Sequence, residues 1–147
     1  METDKLFQAN RASTIRMKQL VDGLSDRQLV ALLPNGWSVS VTLAHLAFWD
    51  QRVIQVIAKA SVEGKVTPSN FDDSLNDILE PFLSAIPVNI AVKMAIDTSV
   101  HLDQLLEEVK PELLEQLEAV NHRWVDRSLH RNDHLDEIEN FINQQSS

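Results

Sequence analysis

Only three glycines and five prolines interrupt 147 residues. Tight β-turns draw on Gly, Pro and Asn-Gly pairs, and strands joined by them read as alternating apolar and polar runs. Alternating runs joined by such turn dipeptides are missing here. The valines and isoleucines instead recur at three-, four- and seven-residue spacings, which is the mark of helices with one buried side. A chain with so few breaks is predicted to form a small number of long helices.

The first long helix is predicted from about Asp4 to Val21, with Leu6, Phe7, Ile15, Met17, Leu20 and Val21 on its apolar side. Gly23 stands where a left-handed C-cap belongs. Ser25 opens a short helix, SDRQLVALL, stopped by Pro34, Asn35 and Gly36. A second long helix follows GWS, capped by Ser38 or Ser40, and runs to about Ser61 before Glu63-Gly64-Lys65. It is apolar around much of its circumference, as a central, buried helix is. Trp37 is expected to anchor its start near the first helix. The stretch from Val66 to Leu83 is the least regular, with a turn at Pro68-Ser69-Asn70 and a short helix in DDSLNDILEPFL. Pro87 is placed to begin the third long helix, on which Ile90, Met94, Leu102, Leu105 and Val109 trace a broad stripe. Pro111 starts another short helix. The last runs from about Val125 to Asn143, with Leu129, Ile138, Phe141 and Ile142 on its apolar side and Arg131, Asp133, Asp136 and Asn140 opposite. The expected fold is all-α: one four-helix-bundle domain over residues 1–147 with short accessory helices.

Composition narrows the function. With 22 acidic and 13 basic residues the formal charge is −9. Nucleic-acid binding needs a basic footprint, so no nucleic-acid partner is expected, and an anionic membrane surface is disfavoured too. No stretch approaches about 18 apolar residues, so no membrane span is expected. METDKLFQANRAST carries acids and no apolar run, so it does not read as a secretory signal, and a cytoplasmic location is the default expectation. There is no cysteine, which removes disulfides, thiolate ligands and a cysteine nucleophile. Phosphate-binding glycine loops, dinucleotide fingerprints and Gly-x-Ser-x-Gly elbows are missing.

The histidines carry the chemistry. His130 and His134 stand at i and i+4, so both imidazoles leave one helix side on successive turns. Residues 130, 134, 138 and 141 share that side, which makes the pair a continuation of an inward stripe. An i, i+4 pair is weak evidence by itself. His45, in the apolar run LAHLAF, adds to it, because a buried imidazole is costly unless it is hydrogen-bonded or ligated. Three inward neutral imidazoles suit Zn, Ni, Cu or Fe and leave a position for water or substrate. Asp50 and Glu137 can orient a ligand by accepting its other ring proton, although a solvated acid is the plainer role for each. Trp49, one turn after His45, can line a pocket. His101 and Asp97 form a further i, i+4 pair that either reaches the centre or lies on a polar edge. His122 is read as surface.

The stretch GWSVSVTLAHLAFWD, with Trp37, Ser38, His45 and Leu46, resembles the second-helix signature of the DinB-like superfamily, which includes the YfiT-like metal-dependent hydrolases. The ending RSLHRNDHLDEIENFI resembles the closing helix of that family, with His-x-x-x-His at His130 and His134. The resemblance implies a four-helix bundle in which these three histidines bind a divalent ion, often zinc or nickel, with water completing the site. It also implies homodimers. Relatives include hydrolases of reactive small molecules and thiol transferases or isomerases that use bacillithiol, mycothiol or glutathione. One departure is local: some relatives follow the second closing histidine with Arg-Gly-Gln, whereas Leu135-Asp136-Glu137 stands here. The expectation is therefore a metal-dependent enzyme that activates water or a small-molecule thiol, toward hydrolysis or thiol transfer on a small substrate. Its rivals are a non-catalytic small-molecule-binding or stress-related bundle with a vestigial metal site, and a purely structural or interaction bundle with the histidines as core polar residues.

Overall fold

A computed structural model of the chain describes residues 2–71 and 73–145. Four long helices build the bundle: α1 (Thr3–Asp22), α3 (Val39–Glu63), α5 (Val88–Glu108) and α8 (Ser128–Gln145). Shorter ones join them: α2 (Asp26–Leu29), α4 (Ser74–Ser84), α6 (Pro111–Val120) and α7 (His122–Val125). No strand is formed among the described residues; one isolated bridge pairs Leu32 with Ser38. Asp72, the first residue of the expected DDSLNDILEPFL helix, lies outside the described residues.

Local chemistry explains most boundaries. Ser38 caps α3 by accepting from the Val41 N–H, so of the two candidate serines it is the cap. Gly64 ends α3 at φ 75°, a left-handed conformation that costs glycine little. Gly23 does not do this for α1: its φ is −89°, and its N–H bonds back to Leu20. The helix expected from Ser25 is a single turn. Ser25 and Gln28 form a reciprocal capping box, but Pro34 forces extended backbone before it, and the chain turns back at Gly36 to pair Leu33 with Trp37. Trp37 packs beside Val41, Ala44, Leu83 and Ala91, that is, against α3, α4 and α5 and away from α1.

The faces are where local reading falls short. On α5 the buried positions are Ala91, Ala95, Ser99, Leu102, Asp103 and Leu106, while Ile90 and Met94 are exposed. On α1 the buried stripe is Asn10, Ser13, Thr14, Met17 and Val21, and Ile15 is exposed. On α8, Leu129 is exposed and Leu135 is buried, and Arg131, expected on the polar side, has no exposed surface.

These displacements have one cause. Two apolar clusters fill the bundle. One gathers Val53, Ile54, Ile57, Leu102, Leu106, Leu117 and Trp124; the other gathers Met17, Val21, Leu43, Leu46, Ala95, Leu135 and Ile138. On each long helix the residues between the two clusters are polar: Asn10, Ser13 and Thr14 on α1, Asp50 on α3, Ser99 and Asp103 on α5, Ser128 and Arg131 on α8. A polar layer crosses the middle of the bundle. Each fully buried Leu or Ile on either side contributes roughly 1.5–3 kcal/mol from lost water contact.

Candidate metal centre

Arg131 lies at the centre of the polar layer. Its Nε donates to Asp50 Oδ2 (3.1 Å) and its Nη1 to Asp103 Oδ1 (2.8 Å), and Nη1 also reaches Ser13 Oγ, Thr14 Oγ1 and the Asn10 carbonyl. Thr14 donates its hydroxyl proton to Asp103 Oδ2 at 2.6 Å. Burial pushes the Asp103 carboxyl up, and the charge of Arg131 together with the Thr14 hydrogen bond works against that shift. Asp50 is 1% exposed, so it is not a solvated acid. Its other oxygen accepts from Arg127 Nε at 2.9 Å. Two buried guanidiniums thus face two buried carboxylates, the condition under which buried charge is tolerated.

This layer holds the start of α8 in place. The Asn10 side chain donates to the Val125 carbonyl and accepts from the backbone N–H groups of Arg127 and Ser128. Asp126 accepts from both the N–H and the hydroxyl of Ser128. The first turns of α8, which carry His130 and His134, are thereby fixed against α1 and α3.

His45, His130 and His134 meet across that join. Their ring centroids lie 4.7–5.1 Å apart. His45 Nε2 and His130 Nε2 are 3.1 Å apart, and one nitrogen from each of the three rings lies within 4.8 Å of the others. Ligand nitrogens around a tetrahedral ion with bonds of about 2.0–2.1 Å stand roughly 3.3–3.4 Å from one another, so small side-chain shifts suffice. Two of the rings, His45 and His130, are also in the protonation state that a metal requires. Burial lowers the His45 pKa to about 3, with His134 and Arg127 adding to the shift. Burial lowers that of His130 to about 2, aided by Arg127 and the other two histidines. At neutral pH both are uncharged and can offer a lone pair.

The surroundings of the rings differ. His134 Nδ1 lies 3.3 Å from Glu137 Oε2, the kind of carboxylate contact that orients a ligating imidazole. Glu137 is therefore near a candidate ligand, though its side chain is 47% exposed. His45 Nδ1 is buried without a hydrogen-bond partner. Arg127 Nη2 stands 3.4 Å from His130 Nδ1, a long contact. A guanidinium only donates, so this contact and coordination through His130 Nε2 compete for the ring tautomer. Asp50 touches no histidine; it acts on the cluster through Arg127. The donor set fits a borderline ion such as zinc or nickel.

The three rings form the floor of a cleft of about 370 Å³. Trp37 lies over His45 at 5.0 Å between centroids and Trp49 at 6.3 Å, with Phe71 beyond Trp49. The Trp49 indole N–H donates to Asn76, which ties α4 to the wall. Arg123 and Arg127 also line the cleft.

No protein-family model matches the sequence, and no curated protein matches it. A solved structure does match in shape. YfiT from Bacillus subtilis, described as a probable metal-dependent hydrolase with an unusual four-helix bundle topology, aligns over 97% of this chain and 88% of its own, with a TM-score of 0.60 and 18% identity. The chain has the YfiT fold.

Within that fold the remaining expectations sort cleanly. His101 and Asp97 lie exposed on the outer side of α5, with Asp97 paired to Lys93, and do not reach the cleft. His122 is exposed and pairs with Glu118 one turn earlier. Sequence reading missed Arg127, Arg131, Asn10 and Asp103. A signal for one of them existed: Asn10, Ser13 and Thr14 continue the register of Met17 and Val21, so a polar stretch occupies a core-facing stripe. Among the described residues no helix is long and apolar enough to cross a membrane.

Proposed function

We propose that the chain is a divalent-metal-dependent hydrolase acting on small molecules, with His45, His130 and His134 as the metal ligands. The convergence of three imidazoles on an open cleft carries this reading. The YfiT likeness agrees with it. When bound, a zinc- or nickel-class ion supplies Lewis-acid polarisation and an acidified water nucleophile. The protein supplies the rest. The polar layer presets the α8 histidines against α3, Glu137 orients His134, and the tryptophan wall excludes water from one side of the reacting group.

The same open position has room for the sulfur of a small thiol. In a chain without cysteine any thiol chemistry uses an imported cosubstrate, and transfer is the alternative activity for the same site. A non-catalytic binding protein is the other alternative, and saturable binding without turnover is its mark. A homodimer is part of the proposal and is read from the sedimentation mass of the purified chain.

The deciding experiment is metal content per chain for tag-free protein purified without chelator and for protein reloaded with Zn or Ni. About one ion per chain is expected, lost in His45→Ala while the helical spectrum is kept. An ion present at about 100 times its dissociation constant should stabilise the fold by about 2.7 kcal/mol. Tight stoichiometric metal in His45→Ala, or no uptake by the native chain, overturns the site. Loaded protein is then screened for ester and amide hydrolysis and for thiol transfer.

A further inference from the structure

The cleft reverses the charge of the chain around it. Acids outnumber bases 22 to 13 over the sequence. Yet Asp73 is the one acidic side chain among the described residues lining the cleft, where Arg123 and Arg127 are also found. The two arginines differ in freedom. Arg127 is buried, with Nε on Asp50 and Nη1 on the Arg123 carbonyl. Arg123 has a fixed backbone: its N–H donates to the Asn121 side chain, and its carbonyl accepts from Arg127. Its side chain is 52% exposed and meets Asp133, itself 69% exposed, at 3.3 Å. Such an exposed pair is worth little and is easily exchanged for a better partner. Trp37, Trp49 and Phe71 line the same cleft as Arg123.

We infer that the cleft takes a small substrate with a flat apolar body and one carboxylate, the body against Trp37 and Trp49 and the carboxylate on Arg123. The inference rests on the proposed hydrolase site, which would then lie between the two anchored ends. A guanidinium fork matches a carboxylate with two parallel hydrogen bonds. Aromatic walls take a flat group by stacking or edge contact. One re-aimable guanidinium answers one negative charge, and no lysine lines the cleft among the described residues, so a monoanion fits better than a phosphate dianion.

Two of the three tryptophans border the cleft, so their fluorescence reports binding without turnover. The probes are hippurate, which has a phenyl ring, an amide and a carboxylate, and its primary amide, which differs by the charge. Hippurate should bind about tenfold more tightly. Its advantage should vanish in Arg123→Gln, survive in part in Arg123→Lys, shrink with added salt and persist in His45→Ala. Equal binding of the two probes, no binding of hippurate, or an advantage intact in Arg123→Gln overturns the inference. An advantage lost in His45→Ala and kept in Arg123→Gln also overturns it, since the carboxylate would then sit at the metal. The metal content of the same preparation tests the hydrolase site separately, so a failure of either is told from a failure of the other.

Discussion

The bundle holds two polar constellations side by side, and they are built on opposite principles. In the layer around Arg131 every charge has an answer: two guanidiniums meet two carboxylates, and Thr14, Ser13 and Asn10 occupy further donor and acceptor positions. Around His45 the imidazoles are crowded and incompletely paired, with one ring nitrogen left without a partner. The first arrangement is closed and fixes geometry. The second has capacity left over, and it opens to solvent through a cleft. Burial of polar groups therefore does not identify function by itself; what matters is whether their valences are met.

The sharpest way to break this contrast is Asp50→Ala. It strands Arg127 and Arg131 with one buried carboxylate between them and should cost about 3–5 kcal/mol in urea unfolding. A loss below about 1 kcal/mol would mean that the layer does not carry the fold.

A second effect separates the two constellations by pH. In metal-free protein, His45 and His130 stay unprotonated down to about 3 and 2 when folded and return to near 6.5 when unfolded. Their stabilisation is thus present above about pH 6.5 and lost as pH falls toward the folded values. Each histidine contributes up to about 1.4 kcal/mol per pH unit in that window. Unfolding free energies from about pH 6.5 to 4 should fall more steeply for the native chain than for His45→Gln/His130→Gln. Equal slopes would show that the imidazoles are not desolvated.

Glu137→Gln should act on the cleft alone, weakening zinc or nickel affinity by roughly tenfold by isothermal titration with no change in fold stability. Unchanged affinity would remove Glu137 from the site. The smallest expected effect is His101→Ala, within about 0.5 kcal/mol in unfolding and with full metal content, since this exposed histidine lies outside both constellations.

How much of this was legible beforehand follows from the range of each interaction. Helix existence, the Ser25 cap, a serine cap on α3 and the stop at Gly64 depend on residues three or four apart and could be read directly, while the choice of Ser38 over Ser40 came from the structure. So could the common side of His130 and His134. Which side of each helix turned inward could not be read, because counting apolar residues assumed that the inward stripe is greasy throughout. Ile90, Met94, Ile15 and Leu129 attracted that count and are exposed, whereas Asn10, Asp103 and Arg131 are buried. A buried Arg beside a buried Asp is acceptable only when the two meet, and their meeting spans 81 positions for Arg131 and Asp50. The sequence by itself determined four long helices, their ends and an i, i+4 pair of histidines, because helices are closed by neighbours along the chain. That His45 joins that pair was expected from its apolar run and from the family resemblance; tertiary structure decided the 3.1 Å approach across 85 positions and that Arg123 lines the same cleft, because such contacts exist only once packing has set the faces of separate helices against one another.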